Sequence, residues 1–260
     1  MSTATASMES DDGRMSLIEH LTELRDRLIK IAVAVVLGMV IAFFLYDWLF
    51  DILLQPYQDV AKDNGLSLSQ GDLVATDPLE GFGVRMKLAA YGGIFFAMPV
   101  ILWQLWRFIT PGLYAHEKRY AIPFMVSALT LFLLGAGIAY YTLPQALSFL
   151  QQIGGDNIVT AYSPSKYFKL ITYMMLAFGV GFEFPIVLVF AQMMGILTPD
   201  TLRRVRRYAI VGICVLVAVI TPSGDPISMV ALSGPMVVFY EISILIGRLL
   251  QRRKRAAATA

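Results

Sequence analysis

The chain has 260 residues, 57% of them hydrophobic and only 15% charged, with a formal net charge of +2 and a mean hydropathy of +0.64. A soluble domain is about half apolar and about a quarter charged, so an ordinary soluble globule is excluded, and the near-neutral balance points to no nucleic-acid partner. Two histidines and one cysteine, Cys214, exclude a site built from several Cys or His ligands and any disulfide within one chain. The apolar residues fall in long runs, the pattern of an all-α polytopic membrane protein.

Residues 1–15 (MSTATASMESDDGRM) are polar and acidic and lack a basic stretch followed by an apolar one. No cleavable signal peptide is expected, and this segment is read as a disordered cytoplasmic N-terminus. The membrane domain spans 16–248, and a basic, Ala-rich cytoplasmic tail occupies 249–260. The domain opens with HLTELRDRL (20–28), a charged helical stretch in which Leu17, Leu21, Leu24 and Leu28 share one face. Six apolar runs follow, each measured against the roughly 20 residues a span needs. They are Ile31–Phe50, Met86–Trp106, Tyr120–Leu143, Tyr167–Met194, Tyr208–Ile220 and Met229–Gly247. The last two are short; at about 1.5 Å per residue, Tyr208–Ile220 covers roughly 20 Å of a hydrocarbon core about 30 Å thick.

Lysine and arginine set the orientation. Arg14, Arg25, Arg27 and Lys30, then Arg107, Lys118 and Arg119, then Arg203, Arg204, Arg206 and Arg207, and finally Arg248, Arg252, Arg253, Lys254 and Arg255 fall on one side. Loop 51–81, on the other side, holds Lys62 among six acids. Both termini are therefore expected in the cytoplasm, which six spans allow. Segments 51–81 and 144–166 are long enough to carry structure of their own, and QALSFLQQI (145–153) reads as a short amphipathic helix on the outer surface. Loop 221–228 (TPSGDPIS) is a compact turn.

Few residues carry chemistry. Glu183, in GVGFEFPIV, is a carboxylate inside an apolar run, where it costs a few kcal/mol and marks a functional position by default; a protonated glutamate bonded within the bundle is the plain alternative. Gly179, Gly181 and Pro185 around it imply a bent helix. Glu117 begins the third span, where a helix N-terminus alone would favour an anion. Glu23 and Arg27 are spaced i,i+4, an ion pair worth a few tenths of a kcal/mol. The Arg203–Arg207 cluster reads most simply as a positive-inside anchor, and Glu241 is expected to face protein within the sixth span. No HExxH, GxSxG, phosphate loop or paired-carboxylate arrangement appears, so no catalytic residue, cofactor or metal is expected. Glu183 alone would also suit a proton-coupled small-molecule transporter, but such a protein usually shows further buried ionisable groups or paired repeats.

HLTELRDRL, Pro56 after the first span, FITPGLYAHEKR, FGVGFEFPI and TPSGDP, in this order, resemble the signatures of the TatC family, the multi-spanning receptor of the twin-arginine protein translocase. The resemblance covers about residues 16–248. It implies a cupped bundle of six transmembrane helices in the cytoplasmic membrane, with short fifth and sixth helices. It also implies a receptor for folded precursor proteins that recruits the single-span proteins TatA and TatB, associates with itself in a larger complex, and works on the proton-motive force. Carried over by motif, Glu23 and Glu117 are the signal-peptide contacts, with Arg25 and Phe108 beside them. Glu183 is the intramembrane polar site, and Asp225 and Pro56 are contacts of the outer turns or of partners. Met229 departs from the glutamine expected there.

Side-chain chemistry agrees with that carry-over. A twin-arginine peptide carries two forked cations suited to carboxylates, and in an extended chain the two side chains point to opposite sides. Glu23 and Glu117, on separate elements, would form a two-sided clamp, with Arg27 as a resting partner that the cargo displaces.

Overall fold

The computed structural model describes residues 17–63, 73, 75, 77–109, 121–154, 162–221 and 224–258. Among them run eight helices: α1 (Leu17–Phe44), α2 (Tyr46–Asp63), α3 (Glu80–Ile109), α4 (Ala121–Gly154), α5 (Pro164–Gly181), α6 (Phe184–Met193), α7 (Pro199–Ile220) and α8 (Pro226–Ala258). Five stretches are long and apolar enough to cross a membrane: Leu21–Phe44, Glu80–Phe108, Ile122–Ile153, Pro164–Met193 and Pro226–Arg252. In α7 the apolar part begins only after its four arginines.

Segment 51–81 carries structure of its own, as expected, and is helical as far as Asp63, because Leu45 and Leu49 keep helical hydrogen bonds between α1 and α2 (Leu45 N to Ile41 O and Leu49 N to Leu45 O, both 3.0 Å). Other sequence expectations change. QALSFLQQI is not a separate surface helix but the last turns of α4, which runs 34 residues through Pro144. The fifth and sixth helices are not short: α7 has 22 residues and α8 has 33. The charged flanks prolong both helices, so brevity belongs to the apolar part of α7 and not to the helices. Helix α8 also covers 249–258, most of the basic tail. The fourth run does break as its Gly and Pro residues imply. Phe182 and Glu183 form a tightened turn (Glu183 N to Val180 O, 3.0 Å) that joins α5 to α6, with Pro185 in the first turn of α6.

Small residues set the helix contacts, as expected where lipid is as apolar as leucine and close backbone approach supplies the attraction. Gly38 of α1 faces Gly93 of α3; a Cβ at Gly38 would meet the Gly93 carbonyl oxygen at 2.5 Å. Gly92 faces Ala42 one turn away. Between α4 and α5, Gly135 lies against the Phe178 carbonyl and Gly179 against the Phe132 ring, so each glycine accommodates the opposing helix.

Polar contacts tie the ends. Pro56 has no N–H, so the Ile52 carbonyl four residues earlier loses its helical donor. Tyr140 of α4 donates to that oxygen at 2.8 Å, and Tyr167 of α5 donates to the Leu53 carbonyl at 2.6 Å. Glu80 of α3 accepts from the Ser163 hydroxyl and from Ser165 N (3.0 Å), so the start of α5 is capped by another helix. At the opposite end, Trp106, Phe124 and Phe190 from α3, α4 and α6 form an aromatic cluster with ring centroids 4.4 to 5.9 Å apart. Tyr240 of α8 donates to the Leu202 carbonyl of α7 at 2.7 Å. Leucine at Gly38 is expected to separate α1 from α3 and cost about 1–3 kcal/mol, as overpacking does, lowering the thermal unfolding midpoint in detergent. Leucine at Gly137, whose Cβ would meet nothing within 4 Å, is expected to leave that midpoint near the wild-type value.

Candidate functional site

The start of α1, the end of α3, the start of α4, the end of α6, the start of α7 and the end of α8 share one end of the bundle, joined by the contacts just described. Arg25, Arg27, Arg107, Arg203, Arg204, Arg206, Arg207, Arg248 and Arg252 are at this end. The helical phase of HLTELRDRL places Glu23 and Arg27 on one face of α1, where they form an ion pair. Their side chains are only 22% and 12% exposed. Arg27 Nη1 also reaches Gln104 Oε1 of α3 at a long 3.5 Å, and Gln104 is itself buried. The second carboxylate oxygen of Glu23, Oε2, is buried with no hydrogen-bond partner among the described residues, as is Arg27 Nε. A buried carboxylate oxygen left without a partner costs about 1–3 kcal/mol or more.

The other expected contacts distribute unevenly. Arg25 is turned away from Glu23, 70% exposed and 3.3 Å from Asp26. Phe108 stands one turn beyond Gln104 on α3 and is half-buried. Glu117 lies outside the described residues, and so does His116. On the leucine face of α1, Leu21 and Leu28 are exposed while Leu24 is half-buried.

Glu183 sits in the break between α5 and α6, its backbone in the right-handed helical region (φ −74, ψ −17). Its Oε1 is buried without a hydrogen bond among the described residues. Around the break, Gly181 leaves room for Leu232 of α8, and the Phe182 and Phe239 rings meet edge to face with centroids 5.3 Å apart. Asp225 is fully buried at the start of α8, where its Oδ1 accepts from Ser228 N at 2.6 Å and its carbonyl accepts from Met229 N at 3.1 Å. That is the geometry of a helix N-cap, with Pro226 in the first turn. Pro56 is buried within α2. Glu241 of α8 does face protein, with its Oε1 2.6 Å from Arg206 Nε of α7. The angles fall short of a directed hydrogen bond, so the contact is ionic in character.

Sequence reasoning passed over Gln104, whose only signal was an amide inside an otherwise apolar run. It also passed over Glu80, whose partner serines lie 83 and 85 residues away.

Residues 19–235 match the family model described as TatC, Sec-independent protein translocase protein. A TatC protein of Aquifex aeolicus is 40% identical over 244 residues, covering 93% of this chain and 98% of the relative. One from Frankia casuarinae is 38% identical, covering 94% of this chain and 68% of the relative. TatCy of Bacillus subtilis is 35% identical, covering 95% of this chain and 94% of the relative. A crystal structure of the twin-arginine translocase receptor TatC superposes with a TM-score of 0.72 at 38% identity, covering 89% of this chain and 99% of that one. With most of its length matched by the family model, by curated relatives and by a solved structure, this chain belongs to the TatC family of Sec-independent protein translocase proteins.

Proposed function

We propose that this chain is the receptor and scaffold subunit of a twin-arginine translocase. It binds the signal peptides of folded precursors at the arginine-rich end and recruits TatA- and TatB-type single-span partners for export driven by the proton-motive force. The observation that carries the reading is Glu23: a half-buried carboxylate with one oxygen held by Arg27 and the other buried without a hydrogen-bond partner among the described residues. A carboxylate can accept about four hydrogen bonds, so a visiting guanidinium that displaces Arg27 can engage both oxygens. Arg27 has Gln104 to fall back on. Glu117, from the segment between α3 and α4, supplies the second jaw for the second arginine, while Phe108 and Arg25 flank the peptide. The positive-inside rule places this end, and both termini, in the cytoplasm. Glu183 and the start of α8 near Asp225 and Pro56 are the proposed contacts for partner helices and outer segments, and self-association completes the complex.

Proton-coupled solute transport has less support, since among the described residues no side chain hydrogen-bonds Glu183 Oε1 and no ion pair includes Glu183. Signal-peptide crosslinking at low salt tests the main reading. Glu23→Ala and Glu117→Ala are each expected to weaken binding about tenfold or more, about 1.4 kcal/mol, with the double variant near background. Wild-type binding by the double variant would sink the clamp.

Arg27→Gln is expected to tighten peptide binding several-fold at low salt, because the competitor for Glu23 is gone; weaker binding would show that Arg27 holds the site rather than occupying it. For Asp225, the cap and the partner contact can be separated. Asp225→Ala is expected to cost about 1 kcal/mol of stability, while Asp225→Ser keeps the cap. Partner crosslinking that drops in the serine variant at unchanged stability supports the contact, and crosslinking that follows stability alone reduces Asp225 to a cap.

A further inference from the structure

Between α2, α3 and α5, toward the end of the bundle opposite Glu23, lies an apolar cavity of about 190 Å³. Trp48 and Leu49 wall it from α2, Tyr91 and Phe95 from α3, and Thr172 and Leu176 from α5. Trp48 is 57% exposed, so the cavity opens on the outer, lipid-facing surface of the bundle.

Its rim carries cations from α3 and α5, with Asp47 of α2 near the Tyr46 ring. On α5, Lys169 precedes Thr172 and Leu176 by one and two turns, and on α3 Lys87 precedes Tyr91 and Phe95 by one and two turns. Both lysines therefore border the cavity on the side of Glu80 and Ser163. One turn before the lining residue Leu88, the Arg85 guanidinium packs on Phe43 and Tyr46, 4.6 and 4.8 Å from their ring centroids. Its Nε is buried with no hydrogen-bond partner among the described residues. Lys87 donates to the Ser165 hydroxyl, which uses one of its three donors. Glu80, the carboxylate near this rim on α3, already accepts from Ser163 and Ser165. Among the described residues no ion pair joins Arg85, Lys87 or Lys169 to a carboxylate.

The occupant must combine an anion with a narrow apolar tail. A helix about 10 Å across is too wide for this volume, whereas an acyl chain is slender and apolar throughout. Cations at the level of the headgroups attract anionic lipid. We propose that this groove is a binding site for one anionic phospholipid, with its phosphate between Lys87 and Lys169 and one acyl chain in the cavity beside Trp48. The lipid would fill the angle between α2 and the α3–α5 pair, and so hold the outer end of the bundle.

Trp48 supplies the probe. With Trp103 and Trp106 changed to Phe, it is the sole tryptophan. In bilayers of phosphatidylcholine, brominated phosphatidylglycerol is expected to quench it at a mole fraction at least about fivefold lower than brominated phosphatidylcholine does, the effect of one surface cation or more. Lys87→Gln with Lys169→Gln is expected to erase that preference, the paired Arg replacements to keep it, and Leu176→Phe to weaken quenching by narrowing the cavity. Equal quenching by the two lipids, or an anionic preference that survives the double Gln change, overturns the site. Native mass spectrometry of the unaltered chain gives an independent reading. One retained phosphatidylglycerol, lost in the double Gln variant, supports the proposal; no retention, or equal retention of phosphatidylcholine, overturns it.

Discussion

A carbonyl released by a proline inside a membrane protein has no water to turn to, and leaving it open costs several kcal/mol. The end of this bundle that holds α2 is organised by that constraint. Pro56 releases the Ile52 oxygen and Tyr140 of α4 supplies the replacement donor, while Tyr167 of α5 donates to the neighbouring Leu53 oxygen. Tyr167 is fully buried and Tyr140 partly so, and these polar contacts therefore also pack the core. Tyr167 and Phe168 are fully buried beside Leu53 and Tyr57, and the Tyr57 and Tyr167 rings lie 5.4 Å apart. Residues 51–63 are therefore not a loop draped over the spans but a helix locked to them.

The same accounting governs the helix starts. Helix α5 is capped by Glu80 from α3, α7 by its own Thr198, whose hydroxyl accepts from Thr201 N at 3.1 Å, and α8 by Asp225. Once ends and kinks are satisfied in this way, the spans need only close contact, which Gly38, Gly93, Gly135 and Gly179 permit. Of the buried polar atoms left without a hydrogen bond among the described residues, three belong to Glu23, Arg27 and Glu183, and the others to Arg85, Gln192, Ser228 and Glu241.

Much of this was legible in the sequence because hydrophobic runs, glycines and prolines act locally. The break at Gly181–Pro185, the glutamate within it and the gathering of arginines at one end all follow from residues close together in the chain. What was hidden is either non-local or continuous. Gln104 gains meaning only beside Arg27, 77 residues away, and Glu80 only beside Ser163. Apolar runs also underestimate helix length, since a helix does not stop where its side chains become charged. Thr198 and Asp200 at the start of α7 are favourable first-turn residues, and the arginines after them continue the helix into the polar region. Amphipathic α2 fails a test for spans yet satisfies every requirement of a helix.

The state of Glu23 explains why a receptor would keep an ion pair at its entrance. An i,i+4 pair on one helix is worth a few tenths of a kcal/mol, too little to resist a guest bringing two permanent cations in one rigid spacing. Yet a half-buried carboxylate with no partner of its own would bind any cation that reached it. Arg27 orients Glu23, and Gln104 offers Arg27 a second contact. On the proposed role of this site, an arriving guanidinium would displace Arg27 from Glu23 while Gln104 receives Arg27, so no step would leave a bare charge buried. Selectivity would then rest on the second arginine: one cation merely competes with Arg27, while two, reaching separate carboxylates, displace it.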